Sequence, residues 1–168
     1  MKKFIVLSIV LLMLAGFAIT SSAMEVTLLA GQTIEVGTLT VEVDLNGDLV
    51  VTYAITAPWV LGDTHLYVGT AAPKKSAPGQ FPYGPEDAVG GVYTIPLDEL
   101  PDPDAAGNIV IAAQAEVRKP EINPDTGEQM VDPDTGELIY QEETAWAEGD
   151  EIRPGKNWAM YFTFPLPE

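Results

Sequence analysis

The residues best placed to do chemistry lie in Asp63-Thr64-His65-Leu66, which holds the single histidine of the 168-residue chain. In an extended strand Asp63 and His65 share one face, with Tyr67 beyond them, while Leu66 and Val68 face the other way. A carboxylate beside an imidazole can hold a metal ion or act as an acid–base pair, and it can equally be a structural hydrogen-bonded histidine. A second histidine for a common zinc set is lacking. The chain has no cysteine, which excludes disulfides, thiolate zinc sites, iron–sulfur clusters and cysteine nucleophiles. No serine nucleophile elbow is present either.

Two further groups invite a ligand. Asp132-Pro133-Asp134-Thr135-Gly136 opens like a calcium loop, in which alternate oxygens converge on a hard cation. The fifth position, where an oxygen is wanted, is Gly136, so a turn decorated with solubilising acids is the plainer reading. Among the aromatics, Trp59, Phe81, Tyr83, Trp146 and Trp158 could stack on sugar rings or fill a core. The alternation Trp158, Met160, Phe162, Phe164 assigns Trp158 to the core, and Trp59, Phe81 and Tyr83 stay available for a ligand.

The elements that must position these residues are strands. The 14 prolines and 15 glycines break the chain into short runs rich in Val, Ile, Thr and Tyr, the pattern of an all-β domain. Leu39, Val41 and Val43 alternate with polar residues, and the series resumes after Asn46-Gly47 as Leu49, Val51 and Tyr53. A two-residue loop would put the two apolar series on opposite faces. A three-residue loop, Leu45-Asn46-Gly47 with Gly47 left-handed, pairs Val43 with Leu49 and Val41 with Val51, and is the expected turn. Further strands are expected near Glu25 to Leu29, Thr64 to Gly69, Val92 to Leu97, Asn108 to Val117, Glu143 to Ala147 and Asn157 to Phe164. In the Asn108 strand, Ile109, Ile111, Ala113, Ala115 and Val117 share a face, which leaves Gln114 on the other. The sum is an antiparallel two-sheet β-sandwich, immunoglobulin-like or jelly-roll.

Two segments exceed a minimal sandwich. Residues 71–91 form a long Pro/Gly-rich loop, a length that usually means function or a packed lid. Residues 120–141 contain a period-nine repeat, Pro124-Asp125-Thr126-Gly127-Glu128 and Pro133-Asp134-Thr135-Gly136-Glu137, and are expected to project as an acidic hairpin-like arm.

Residues 1–23 have the form of a signal peptide: Lys2 and Lys3, the apolar run Phe4 to Ile19, then Ser21-Ser22-Ala23. Residues 24–168 are then a single exported domain. Removing Lys2 and Lys3 leaves 6 basic against 25 acidic side chains, a formal charge of −19. Such a charge makes nucleic acid and anionic membranes poor partners. After Ala23 no apolar stretch approaches the length of a membrane span.

Taken together, Ala30-Gly31-Gln32, Asp63-Thr64-His65-Leu66, Pro78-Gly79-Gln80-Phe81-Pro82-Tyr83, Glu143-Thr144-Ala145-Trp146-Ala147 and Asn157-Trp158-Ala159 resemble the motifs of a group of exported bacterial and archaeal β-sandwich modules. The resemblance implies one extracellular module and supplies no reaction. It also implies a polar set of Asp63, His65 and Glu143 with a second histidine at the position of Gln114, a plausible site for a divalent cation. Glutamine there is a weaker ligand, so a hydrogen-bonded cluster joining three strands is the alternative. The expected function is a secreted or cell-surface module without enzymatic activity, with a binding, adhesive or structural role and no obligate cofactor. Carbohydrate, cations or other surface proteins are its candidate partners. The competing readings are a metal-assisted hydrolase built on Asp63, His65 and Glu143, and a calcium-dependent adhesive domain.

Overall fold

A computed structural model describes residues 23–167, so the leader expected at 1–23 lies outside the described residues except for Ala23. Nine strands follow in chain order: β1 (Met24–Ala30), β2 (Ile34–Val43), β3 (Asp48–Ile55), β4 (Val60–Gly69), β5 (Val92–Pro96), β6 (Asn108–Pro120), β7 (Tyr140–Ala147), β8 (Asp150–Glu151) and β9 (Met160–Pro165). Three 3-10 turns, at Pro78–Gln80, Pro85–Asp87 and Leu97–Glu99, are the helical content among the described residues. None of it is long and apolar enough to cross a membrane. The fold is all-β, and every strand pairing is antiparallel.

The β2–β3 hairpin has the register that its apolar alternation requires, with Val41 opposite Val51 and Val43 opposite Leu49. Gly47 supplies the left-handed residue at φ +84°. The Asp44 carboxylate fixes the turn by accepting from Asn46 N at 2.8 Å and Asp48 N at 3.0 Å. Those backbone bonds, above all the one from Asp48, hold its pKa below the ordinary carboxylate value.

Strand pairing runs β5-β3-β2-β1-β7-β6-β9-β8, with β4 on the second edge of β6. The 13-residue β6 is therefore the hub. One of its edges carries β4, and the other is shared by β9 along Asn108–Ile111 and by β7 along Gln114–Pro120. Ile109, Ile111, Ala113, Ala115 and Val117 enter the main core, together with Leu39, Val41, Leu49, Val51, Tyr93 and Phe164.

Two tyrosines fasten β3 and β5 to β4, a strand that does not pair with either. Tyr93 Oη lies 2.9 Å from Thr64 O, 3.1 Å from Gly84 O and 2.8 Å from Thr64 Oγ1. Its one proton serves the carbonyls, so the Thr64 hydroxyl donates to it. Tyr53 Oη donates to His65 O at 3.3 Å. Burial is the leading cause that raises both hydroxyl pKa values above the usual phenol value.

The arm is two tandem loops rather than one projecting hairpin. In the first, Asn123 N donates to Glu128 O and Gly127 N to Asn123 O, at 2.9 and 2.8 Å; in the second, Asp132 N donates to Glu137 O and Gly136 N to Asp132 O, at 2.8 and 2.9 Å. Met130 N donates to Glu121 O, Ile139 N to Met130 O and Glu121 N to Ile139 O, which lashes the two loops at their bases. The repeat is thus one turn design used twice.

Replacing Tyr93 with Phe takes the partner from the buried Thr64 groups of β4 and from the half-buried Gly84 carbonyl, and should cost about 1–3 kcal/mol in a urea melt. A loss near zero would mean that the hydroxyl does not fasten the strands. Limited proteolysis should nick residues 123–137 before the 39–54 hairpin, because the tandem loops are exposed and polar.

Candidate functional site

The middle of β6 is unusual in being buried on its outward face as well, while Glu116 and Arg118 farther along that face are exposed. Ala112 is fully enclosed and Gln114 is 3% exposed, although both point away from the main core. Sheet register sets a row across three strands, with His65 of β4 opposite Gln114 and Gln114 opposite Trp146 of β7. Trp146 in turn faces Leu29 of β1. Because β7 and β9 meet β6 at successive positions, Ala112 sits near their junction, where Trp146, Ala159 and Met160 form a second small apolar cluster with it. A larger side chain at 112 would obstruct that meeting.

The long loop covers this face. Its Pro78–Gln80 turn closes with Phe81 N donating to Pro78 O at 2.9 Å. The Phe81 ring then rests 5.8 Å from Tyr67 and 6.0 Å, edge on, from Trp146. The segment between β8 and β9 supplies the opposite rim. It is tied to the loop by Asn157 Nδ2 donating to Ser76 Oγ and by Arg153 Nη2 donating to Lys74 O.

Between the two rims lies a cleft of about 380 Å³, with His65, Gln114 and Trp146 inside and Ser76, Asn157 and Trp158 around it. That volume falls in the range of small-molecule sites, roughly 300–1,000 Å³. Glu116 and Thr144 are shared with a broader groove of about 590 Å³ that also carries Asp63, Arg118 and Glu142. At the mouth of the groove β4 bulges: Leu61 pairs with Val117 and Thr64 with Ala115, leaving Gly62 and Asp63 opposite Glu116. A Cβ on Gly62 would stand 3.1 Å from Glu116 O, so glycine permits the close approach there.

The expected polar set is joined in part. His65 Nδ1 is 2.9 Å from Gln114 Oε1, a direct bond between β4 and β6. Asp63 is exposed and lines the neighbouring groove rather than the His65 cleft. Glu143 pairs with Val117 and lines the same groove as Asp63, and its carboxylate accepts from Gln141 Nε2 at 3.3 Å. Among the described residues no three His, Asp, Glu or Cys side chains lie close enough to hold a metal ion.

The aromatics divide similarly. Trp59 belongs to the main core, with Lys119 Nζ 4.9 Å from its ring centre. Tyr83 packs against that core and exchanges backbone hydrogen bonds with Leu66, so it acts as a bridging segment beside β4. Phe81 helps to roof the outward face. Trp158 precedes β9 instead of lying in it, and stands half-buried at the cleft. It packs there against the second apolar cluster with Met160, so the core expectation for it holds in part. Ser76 and Asn157 carried no local signal, because the loops that bring them together are separated by some 80 residues of chain.

Compared with protein-family models, curated proteins and solved structures, the chain matches none.

In the calcium-like segment the Asp132 carboxylate faces its own backbone, accepting from Asp134 N at 2.8 Å and Thr135 N at 2.9 Å. Those bonds, with the Thr135 contribution largest, hold its pKa below the ordinary value, and Asn123 makes the corresponding bonds in the twin loop with an amide. A lowered folded pKa means that the carboxylate's contribution is complete above its unfolded pKa, about 4, and is lost as pH falls through the folded value. The Thr135 amide resonance should therefore titrate with a midpoint below the ordinary aspartate range, and Asp132→Asn should abolish that midpoint. An ordinary midpoint would show that the carboxylate does not cap the loop.

Proposed function

We propose that the chain is a secreted or cell-surface module without enzymatic activity, a two-layer β-sandwich that binds a small ligand in the cleft on the outward face of β6. The observation that carries this reading is the burial of Gln114 beneath a roof formed by two distant loops, within a cleft that keeps aromatic and polar side chains together. A sheet face meant for the solvent would need no such cover. The tyrosine bonds from β3 and β5 to β4 support the layered arrangement. The leader-like residues 1–23 and the acidic composition support export.

Several features favour binding over catalysis. His65 is engaged by an amide, not by a carboxylate that could drive proton transfer. The chain offers no cysteine nucleophile. Rigid aromatic walls beside a few directed polar groups are the usual composition of a recognition site.

Thermal denaturation of residues 24–168 with a library of saccharides, amino-acid derivatives and cations tests the proposal. At least one compound should raise the melting temperature of the parent, by about 2.7 kcal/mol of stabilisation at 100 times its Kd, and should fail to do so for Trp158→Ala. If no compound acts, or if each acts equally on the variant, the cleft is not a binding site.

A further inference from the structure

We infer that the cleft takes a neutral saccharide, held through separate hydroxyl groups by His65 and Gln114, an inference that rests on reading the cleft as the ligand site. Gln114 Oε1 can only accept a hydrogen bond, so the 2.9 Å contact requires the proton to sit on His65 Nδ1. With the ring in its neutral form, the lone pair is then at Nε2. On the other side of the pair, Gln114 is 3% exposed, and its Nε2 has no hydrogen-bond partner among the described residues. Among those residues no fully buried side-chain nitrogen or oxygen lacks a partner, so this amino group reaches the cleft that Gln114 lines.

An acceptor and a donor therefore lie at either end of one bonded pair, each oriented by the shared bond. Hydroxyl groups set apart on one sugar ring or on neighbouring rings match both: one donates to His65 Nε2 while another accepts from Gln114 Nε2. Trp158, half-buried at the same cleft, offers the flat apolar surface on which the C–H face of a sugar ring packs. Asn157 and Ser76 add polar groups at the rim. Beyond them Glu116 and Thr144 lead into the wider groove, where the remainder of a chain of sugars can run.

Charged ligands fit less well. An anion would meet Glu116 in a cleft lined by no lysine or arginine. A cation would confront the Gln114 amino group, a donor that only an acceptor can satisfy.

Calorimetric titration of residues 24–168 with cellotetraose, xylotetraose and mannotetraose, and with tetragalacturonate as the anionic comparison, decides the matter. At least one neutral oligosaccharide should bind, and more tightly than the anionic one. Gln114→Glu, which keeps the shape but removes the donor, should weaken that binding about tenfold or more, as should Trp158→Ala at the rim. Trp158→Ala keeps the test valid if Gln114→Glu does not fold. Binding of tetragalacturonate in preference, binding unchanged in a folded Gln114→Glu or in Trp158→Ala, or no binding by any of the sugars would overturn the inference. If no sugar binds while other compounds stabilise the parent and not Trp158→Ala, the saccharide assignment fails and the cleft reading survives.

Discussion

The rest of the structure depends on the middle of β6 being buried on both faces. Its inward residues, Ile109 to Val117 in alternation, fill the main core, and outward Ala112 and Gln114 are enclosed as well. A strand in that position cannot rely on water to satisfy its outward polar groups. Gln114 accordingly finds His65 across the sheet, and the loops around Phe81 and Asn157 cover what remains. The candidate site is the place where this cover is incomplete.

That constraint explains the unequal treatment of β7 and β9. Both pair with the same edge of β6, so the chain must leave the sheet after Ala147 and return at Met160. The excursion carries β8, Arg153, Asn157 and Trp158 over the outward face, where they meet the long loop. Gly149 belongs to this turn-out: a Cβ there would collide with Tyr161 O. The length and irregularity of both segments follow from the surface they must reach.

Local pattern made part of this legible. The β2–β3 register follows from apolar alternation and one glycine, since both determinants lie within a few residues of the turn. The strand around Gln114 was readable for the same reason, and so was the shared outward direction of His65 and Gln114. Other features depend on contacts distant in sequence. Tyr93 reads as an ordinary strand tyrosine until Thr64, 29 residues away, is placed under its hydroxyl. Trp158 alternates with Met160 and packs against the same small cluster, yet β9 begins only at Met160, and periodicity alone does not show that the side chain is half-exposed at the cleft. The repeat in the arm was visible as sequence, but its division into two loops depends on Met130 bonding to both Glu121 and Ile139.

The account of the cleft turns on the proton of one imidazole. With Nδ1–H bound to Gln114, the cleft presents an acceptor from His65 and a donor from Gln114; with the proton on Nε2, the two roles are exchanged and the donor that Gln114→Glu would remove is not the one facing the cleft. Because the chain has a single histidine, a nitrogen-15 spectrum of its imidazole is unambiguous. At a pH where the ring is neutral, the account predicts a protonated Nδ1 and an unprotonated Nε2. A spectrum with the proton on Nε2 would contradict it.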